Sequence, residues 1–303
     1  MKTTAAEIKT GAKPGINPDF KSDFKKVAIV YRLGAKQILS VAKKLIQWLQ
    51  QNNIEVYTAP EQKKLAGTKL ARPQEMAKMS LLIALGGDGT YLRAVRLLKG
   101  KAIPILGINL GSLGFLTPTR AENAVSALEK TLKKQMRLVP RAILKVSLRR
   151  KRKIRDSALA LNDLVIERGS NSQLINLSLF SEGLLVAEVK ADGLIVATPT
   201  GSTAYNLAAG GPIAHPDCKI IVVTAISPHN LTSRPLIFPD DRKLSFKINN
   251  RAHYVVDGQK FADVLPGDEI TVERAECDHI MVRDPNLSYF ALLREKLKFG
   301  ERA

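Results

Sequence analysis

Aromatic residues are scarce, at 5% of the 303-residue chain, and no paired-aromatic signature of a single-strand RNA reader occurs. That counts against nucleic acid as the reason for the charge described below. Cysteine is nearly missing: Cys218 and Cys277 stand far apart, with no Cys-x-x-Cys. A disulfide scaffold or a structural zinc site is therefore not expected, and a reducing cytoplasmic setting is. The four histidines, His215, His229, His253 and His279, do not cluster as metal ligands do. No apolar run approaches the ~20 residues of a membrane span, so no membrane partner is expected. The first two dozen residues lack the apolar centre of a signal peptide and read as a flexible tail.

What is present is positive charge, +19 formally, and enough apolar residues, 45%, for two cores. The partner implied is anionic, and a nucleotide polyphosphate satisfies that as well as nucleic acid does. Residues 26–31 (KVAIVY) form a strand candidate. Residues 35–51 follow as an amphipathic helix, with Ile38, Val41, Leu45, Trp48 and Leu49 on one face. A strand at 54–58, a mixed stretch at 61–78 broken by Pro73, strands at 81–85 and 103–109 and a helix at 121–135 continue the alternation. Such alternation predicts a parallel sheet covered on both faces, with ligands at the carboxyl ends of its strands. Beyond Met136 the pattern becomes short extended runs punctuated by Gly, Pro and Asn-Asn, a mostly β second domain, until a helix at 289–299. The basic turn RRKRK at 149–153 reads most simply as a solvated hairpin tip.

The chain is organised around residues 80–98, SLLIALGGDGTYLRAVRLL. A buried strand empties into Gly86-Gly87-Asp88-Gly89, and from Thr90 onward the apolar spacing is helical. Strand, glycine turn, helix aims backbone N–H groups at a phosphate with the helix dipole behind them. Asp88 is out of place there. A carboxylate repels an anion unless it accepts a proton from the substrate, holds a metal, or only caps the helix.

Three further stretches invite a ligand, each beside a plainer explanation. In residues 191–211, ADGLIVATPTGSTAYNLAAGG, hydroxyls crowd the start of a short helix and Tyr205 could stack on a base; ordinary capping explains one or two of these residues but not the run. Asn162-Asp163 lies within the apolar run LALNDLVI, which predicts a polar pair inside a buried strand over 158–167. Left unpaired, each such group costs up to roughly 3 kcal/mol; the pair can read ribose hydroxyls or be satisfied within a sheet edge. The loop SPHNLTSRP at 227–235 and the turn VDGQ at 256–259 could be connections only.

Together these motifs resemble the NAD kinase family, in LGGDGTYLRA, GINLGSLGFL, LNDLVI, DGLIVATPTGSTAYNLAAGGPI, SPHNLTSRPL and VDGQ, in family order from about Lys25 to Leu297. The glycine turn is shared with diacylglycerol-type lipid kinases and phosphofructokinases, so a lipid or sugar kinase is the rival reading; the PTGSTAY and SPHNLTSRP runs are more specific. The resemblance implies a Rossmann-like α/β domain (25–136 with about 277–303) and a sandwich-like β domain (137–276). It implies an NAD site between them and transfer of the ATP γ-phosphoryl group to the adenosine-ribose 2′-hydroxyl, giving NADP. Asp88 would be the general base, and Gly86, Gly87 and Gly89 would approach phosphates. Asn162 and Asp163 would bind the ribose and adenine, and Asp192 would contact the nicotinamide part from a neighbouring subunit. Thr203, Ala204, Tyr205, Asn206, Leu207 and Ala208 would line the adenine end, with Arg93, Lys190 and Gln259 also at the nucleotide. Asp163 stands where the family commonly has Glu, Ala208 where a hydroxyl is common, and Lys190 where Arg is common. Magnesium would arrive on ATP, without a dedicated protein site, and a homodimer or homotetramer is expected.

Overall fold

The computed structural model describes residues 24–34, 37–169 and 173–298. The expected N-terminal tail, the start of the first helix at Ala35 and the end of the last at Phe299 lie outside them.

The N-terminal half is built on a mostly parallel sheet in the order Lys69–Leu70, Glu55–Thr58, Lys26–Tyr31, Leu81–Leu85, Ile105–Asn109, His279–Arg283, Arg137–Arg141, with Thr119–Arg120 added beside Ile105–Asn109. Helices α1 (Gln37–Gln51), α2 (Asp88–Leu98) and α3 (Ala124–Leu132) cover it. Val27, Ile29, Leu81, Ile83 and Leu85 point to the face that α1 and α3 bury. Ala28, Val30, Leu82 and Ala84 point to the opposite face, under α2. Both faces being covered is why LLIAL shows no polar alternation. The order reverses between Lys26–Tyr31 and Leu81–Leu85. The crevice at their carboxyl ends is thus the place where a ligand sits in such sheets.

The remaining strands form two six-stranded antiparallel sheets. One runs Leu236–Pro239, Ile220–Ile226, Gly193–Ala197, Asp163–Arg168, Ala252–Val256, Gln259–Val264; the other runs Leu184–Ala191, Ile175–Ser181, Leu244–Ile248, Glu269–Arg274, Leu144–Arg150, Lys153–Ala160. Alternate residues of both, among them Leu164, Ile166, Leu177, Leu179, Val146 and Phe246, share one core. This is a sandwich, as the β-rich composition of that region requires. Helices α4 (Tyr205–Ala208) and α5 (Tyr289–Leu297) complete the chain.

Two local readings change. Helix α2 begins at Asp88, not Thr90, with Gly87 as its N-cap. The strand expected through 158–167 is broken at Leu161-Asn162, where the chain leaves one sheet and enters the other. Apolar content alone could not reveal that break, because the residues on either side of it, Ala158, Ala160, Leu164 and Val165, are all buried and apolar.

Candidate active site

Asp88 does not cap its own helix. Its Oδ1 accepts N–H bonds from Leu116 (3.1 Å) and Thr117 (3.1 Å) and the Thr117 hydroxyl (2.9 Å), while Oδ2 accepts the Phe115 N–H (3.0 Å). The carboxylate therefore clasps the loop of the GSLGFL motif. Gly114 is what lets the two approach: a Cβ there would lie 2.0 Å from Asp88 Oδ1. Gly107 matters similarly, since its Cβ would meet the Leu116 carbonyl at 2.4 Å. By contrast, a Cβ at Gly87 or Gly89 would meet nothing within 4 Å. The turn thus faces open space at Gly87 and Gly89, while a Cβ at Gly86 would meet Thr90 Oγ1 at 2.4 Å.

Asn162 lies in the break between the sheets and Asp163 opens the next strand, and a residue not singled out in the sequence holds them there. Asp257, buried in the two-residue turn between Ala252–Val256 and Gln259–Val264, accepts the N–H groups of Leu161 (2.9 Å), Asn162 (2.8 Å) and Asp163 (3.2 Å). Asp257 has φ +48° and Gly258 φ +77°, the left-handed pair that a tight Asp-Gly hairpin demands. The polar pair is therefore not an expensive interruption of a strand, because one carboxylate supplies what the sheet ladder would have. The signal available in sequence was the Asp-Gly turn; its reach across 94 residues to Asp163 was not.

The 191–211 run closes the other side. Thr198 N–H donates to the Asn162 carbonyl (2.8 Å) and Thr198 Oγ1 to that of Leu161 (2.6 Å). Gly201 packs so tightly that its Cβ would sit 2.0 Å from the Asn162 carbonyl oxygen. Thr200 and Thr203 then face Phe115 and Leu116 across a small cavity. Beyond that cavity is Asp88, and Asp257 in turn lies within electrostatic reach of Arg96 on α2. The contacts close a ring: α2, the Asp88-held loop, the threonine turn, the Asn162-Asp163 pair, Asp257 and α2 again. On its rim the Asn162 Oδ1 is buried with no partner, an acceptor left for a ligand.

The same motifs match known proteins in order. The ATP-NAD kinase N-terminal domain matches residues 27–136 and the ATP-NAD kinase C-terminal domain residues 161–283. A NAD kinase of Bdellovibrio bacteriovorus is 55% identical over 280 residues, covering 91% of this chain and 92% of that one. The chain belongs to the NAD kinase family. A NAD kinase of Geobacter metallireducens is 38% identical, over 92% of this chain and all of its own. In three dimensions the chain resembles a yeast NADH kinase complexed with NADH (TM-score 0.87, 27% identity, 93% and 90% of the two chains). It also resembles an Archaeoglobus fulgidus NAD kinase in complex with ATP (TM-score 0.71, 28% identity, 89% and 99%). The activity is thus phosphorylation of NAD.

Among the residues expected at the nucleotide, Tyr205 is 44% exposed and Ala208 also faces solvent, with Thr203, Ala204 and Leu207 half-buried beside them. Asn206 is different: it is fully buried, its amide donating to the Ser202 and Pro212 carbonyls and accepting from Thr224. Gly211 sits against it, where a Cβ would come within 2.0 Å of Asn206 Oδ1. Its amide donors are spent on shaping the turn. Arg93 is half-buried on α2, and Gln259 is exposed at the hairpin. Lys190 and Asp192 are elsewhere. Asp192 lies five positions before Ala197, which pairs with Asp163, so it stands roughly 17 Å away along the strand direction. There it meets Arg168 at 3.3 Å.

Burial governs the titrations. It pushes the Asp163 carboxyl up to about 7, helped by the charge of Asp257. It also raises Asp257, against three N–H groups that pull the other way. Burial, then Arg141, holds His279 down to about 3; its Nε2 lies 2.7 Å from the Tyr91 hydroxyl. Asp163 keeps its proton in the folded chain while the unfolded chain has lost it, so stability falls as pH rises from about 4 to about 7. His279 stays neutral when folded but charges when unfolded, so stability falls as pH drops from 6.5 to about 3. The two slopes, each at most about 1.4 kcal/mol per pH unit, oppose one another. Asp163→Asn should therefore unmask a loss of stability toward acid between about pH 6.5 and 4.5. Urea midpoints measured across that range check it; identical slopes in variant and wild type would refute it.

Proposed function

We propose that this kinase transfers the γ-phosphoryl group of ATP to the 2′-hydroxyl of the adenosine ribose of NAD, with Asp88 as general base. One observation carries the reading: Asp88 stands at the positive end of α2, beside an open glycine turn, with its Oδ2 engaged by a single N–H. The remaining lone pair of Oδ2 is the one that accepts the hydroxyl proton. Phosphoryl transfer asks for positioning and charge neutralisation more than covalent chemistry. The Phe115–Thr117 donors hold the base in one rotamer, and the N–H groups of Gly87 and Gly89 approach phosphoryl oxygens. Asn162 Oδ1 and Asp163 take the ribose and adenine edge, and Tyr205 stacks on the base.

Among the described residues no three His, Cys, Asp or Glu side chains form a metal site. Magnesium arriving on the phosphates of ATP would neutralise part of their charge.

Self-association completes the nucleotide site in this reading. Leu184, Leu185 and Val186 on one sandwich edge strand, and Ile237 on the other, are exposed. The His229 N–H bonds the Lys190 carbonyl beside them. A homodimer or homotetramer covers that apolar edge and brings Lys190 and Asp192 to a neighbour's cleft. Light scattering showing only monomer, with activity intact, would remove this part. The setting is cytoplasmic, which two unpaired cysteines, Cys218 and Cys277, suit.

The test is NADP formation with ATP, with polyphosphate and with no donor in parallel, the product's phosphate located by phosphorus NMR. A 2′-phosphate formed with ATP supports the assignment. A phosphate elsewhere on the dinucleotide, or none with ATP, overturns it.

A further inference from the structure

Arg283 closes the strand His279–Arg283 inside the molecule, only 8% exposed, and its Nη2 is buried with no hydrogen-bond partner. Beside it Arg141 is 6% exposed and reaches out to Asp217 at 2.6 Å. Burial and the neighbouring Arg141 guanidinium both disfavour the charge of Arg283. Among the described residues Asp217 is the one carboxylate paired with them, and its side chain is 65% exposed, so it neutralises one charge at most. His279, neutral at working pH, adds none. An uncompensated positive charge remains, and a buried unpaired ion costs several kcal/mol.

These groups line the cavity that Phe115, Leu116, Thr200, Thr203 and Tyr289 close. It holds about 10 Å³, room for one body of water size. Water would satisfy the Arg283 donor but neutralise nothing. A phosphate would not fit without displacing Phe115 or Leu116. We propose that this cavity is a site for a single small monovalent anion of the halide class, bound by Arg283 and Arg141 between the two domains. Both the charge deficit of one and the volume of one small sphere select that class. Because Phe115 and Leu116 form a wall, and their N–H groups hold Asp88, the bound ion firms the loop on which the acid is mounted. The site adjoins the nucleotide site through Thr203 and the Asp88-held loop, and its occupancy does not depend on the assignment of the base.

Bromide exchanged into crystals of the whole chain gives a direct reading: an anomalous peak in contact with Arg283 Nη2 is expected. Thermal melting in chloride against gluconate at equal ionic strength should show chloride raising Tm. The rise is about 2–4 °C once chloride exceeds its dissociation constant about tenfold. Arg283→Met, which replaces the guanidinium by an apolar side chain of similar length, should abolish the increment. A water with no anomalous signal there, or a chloride increment unchanged in Arg283→Met, overturns the proposal. Should that variant fail to fold, the bromide experiment on the unaltered chain decides alone.

Discussion

Asp88→Asn is expected to lower kcat by about 10²–10⁴-fold, the range for loss of a general base, while leaving NAD binding within a few-fold of wild type. The amide is the same size as the carboxylate, so packing around it is conserved. Its oxygen can accept two or three of the four hydrogen bonds that the carboxylate receives from Phe115, Leu116 and Thr117. Its NH2 must then face a donor, which costs some loop order and should show as a modest drop in Tm. Gly114→Ala separates the two roles of Asp88. A methyl 2.0 Å from Oδ1 forces the carboxylate or the loop to move while leaving the base chemically intact. Activity should fall in both variants, with the pH-rate profile keeping its acidic limb only in Gly114→Ala. Steady-state kinetics with calorimetric NAD binding checks this; wild-type turnover in Asp88→Asn would remove Asp88 as the base.

The second large effect is expected at Asp257→Ala. Removing its carboxylate leaves the N–H groups of Leu161, Asn162 and Asp163 unsatisfied in a buried place, at about 1–3 kcal/mol each before relaxation or water entry. It also relieves Asp163 of a like charge and takes a counter-charge from Arg96. Net destabilisation of about 2–5 kcal/mol follows, with KM for NAD rising about tenfold or more, since a displacement near 1 Å can cost 10²-fold. Asp257→Asn, which keeps one acceptor oxygen, should recover much of the stability but less of the KM. Denaturant unfolding and NAD saturation curves measure the two effects. A variant that loses stability with KM unchanged would show that Asp257 supports the fold and not the ribose pair.

Much of the site was legible because its chemistry is local. The glycine turn after LLIAL, the threonine run after a strand and the Asp-Gly hairpin are short-range patterns with a geometric meaning that does not depend on distant residues. The reach of side chains was not legible. Asp88 reads as a helix cap or a free acid, yet it binds a loop 27–29 residues away. Asn206 reads as a nucleotide contact within the threonine run, yet its amide closes a turn with Ser202, Pro212 and Thr224. Asp163 reads as the interior of one strand, but it is the first residue of a new strand in the other sheet.

By itself the sequence determined the two-layered plan: apolar runs without polar alternation demand a sheet covered on both faces, and alternating short strands demand a sandwich. It also marked the glycine turn after the strand Leu81–Leu85 as the candidate place for backbone to approach a phosphate. The tertiary structure alone decided which carboxylate serves which purpose. Hydrogen bonds to N–H groups carried in from far along the chain, and the burial of Asp163, Asp257 and Arg283, depend on how distant stretches fold against one another, within each domain for the bonds of Asp88 and Asp257. No spacing within a single stretch encodes that.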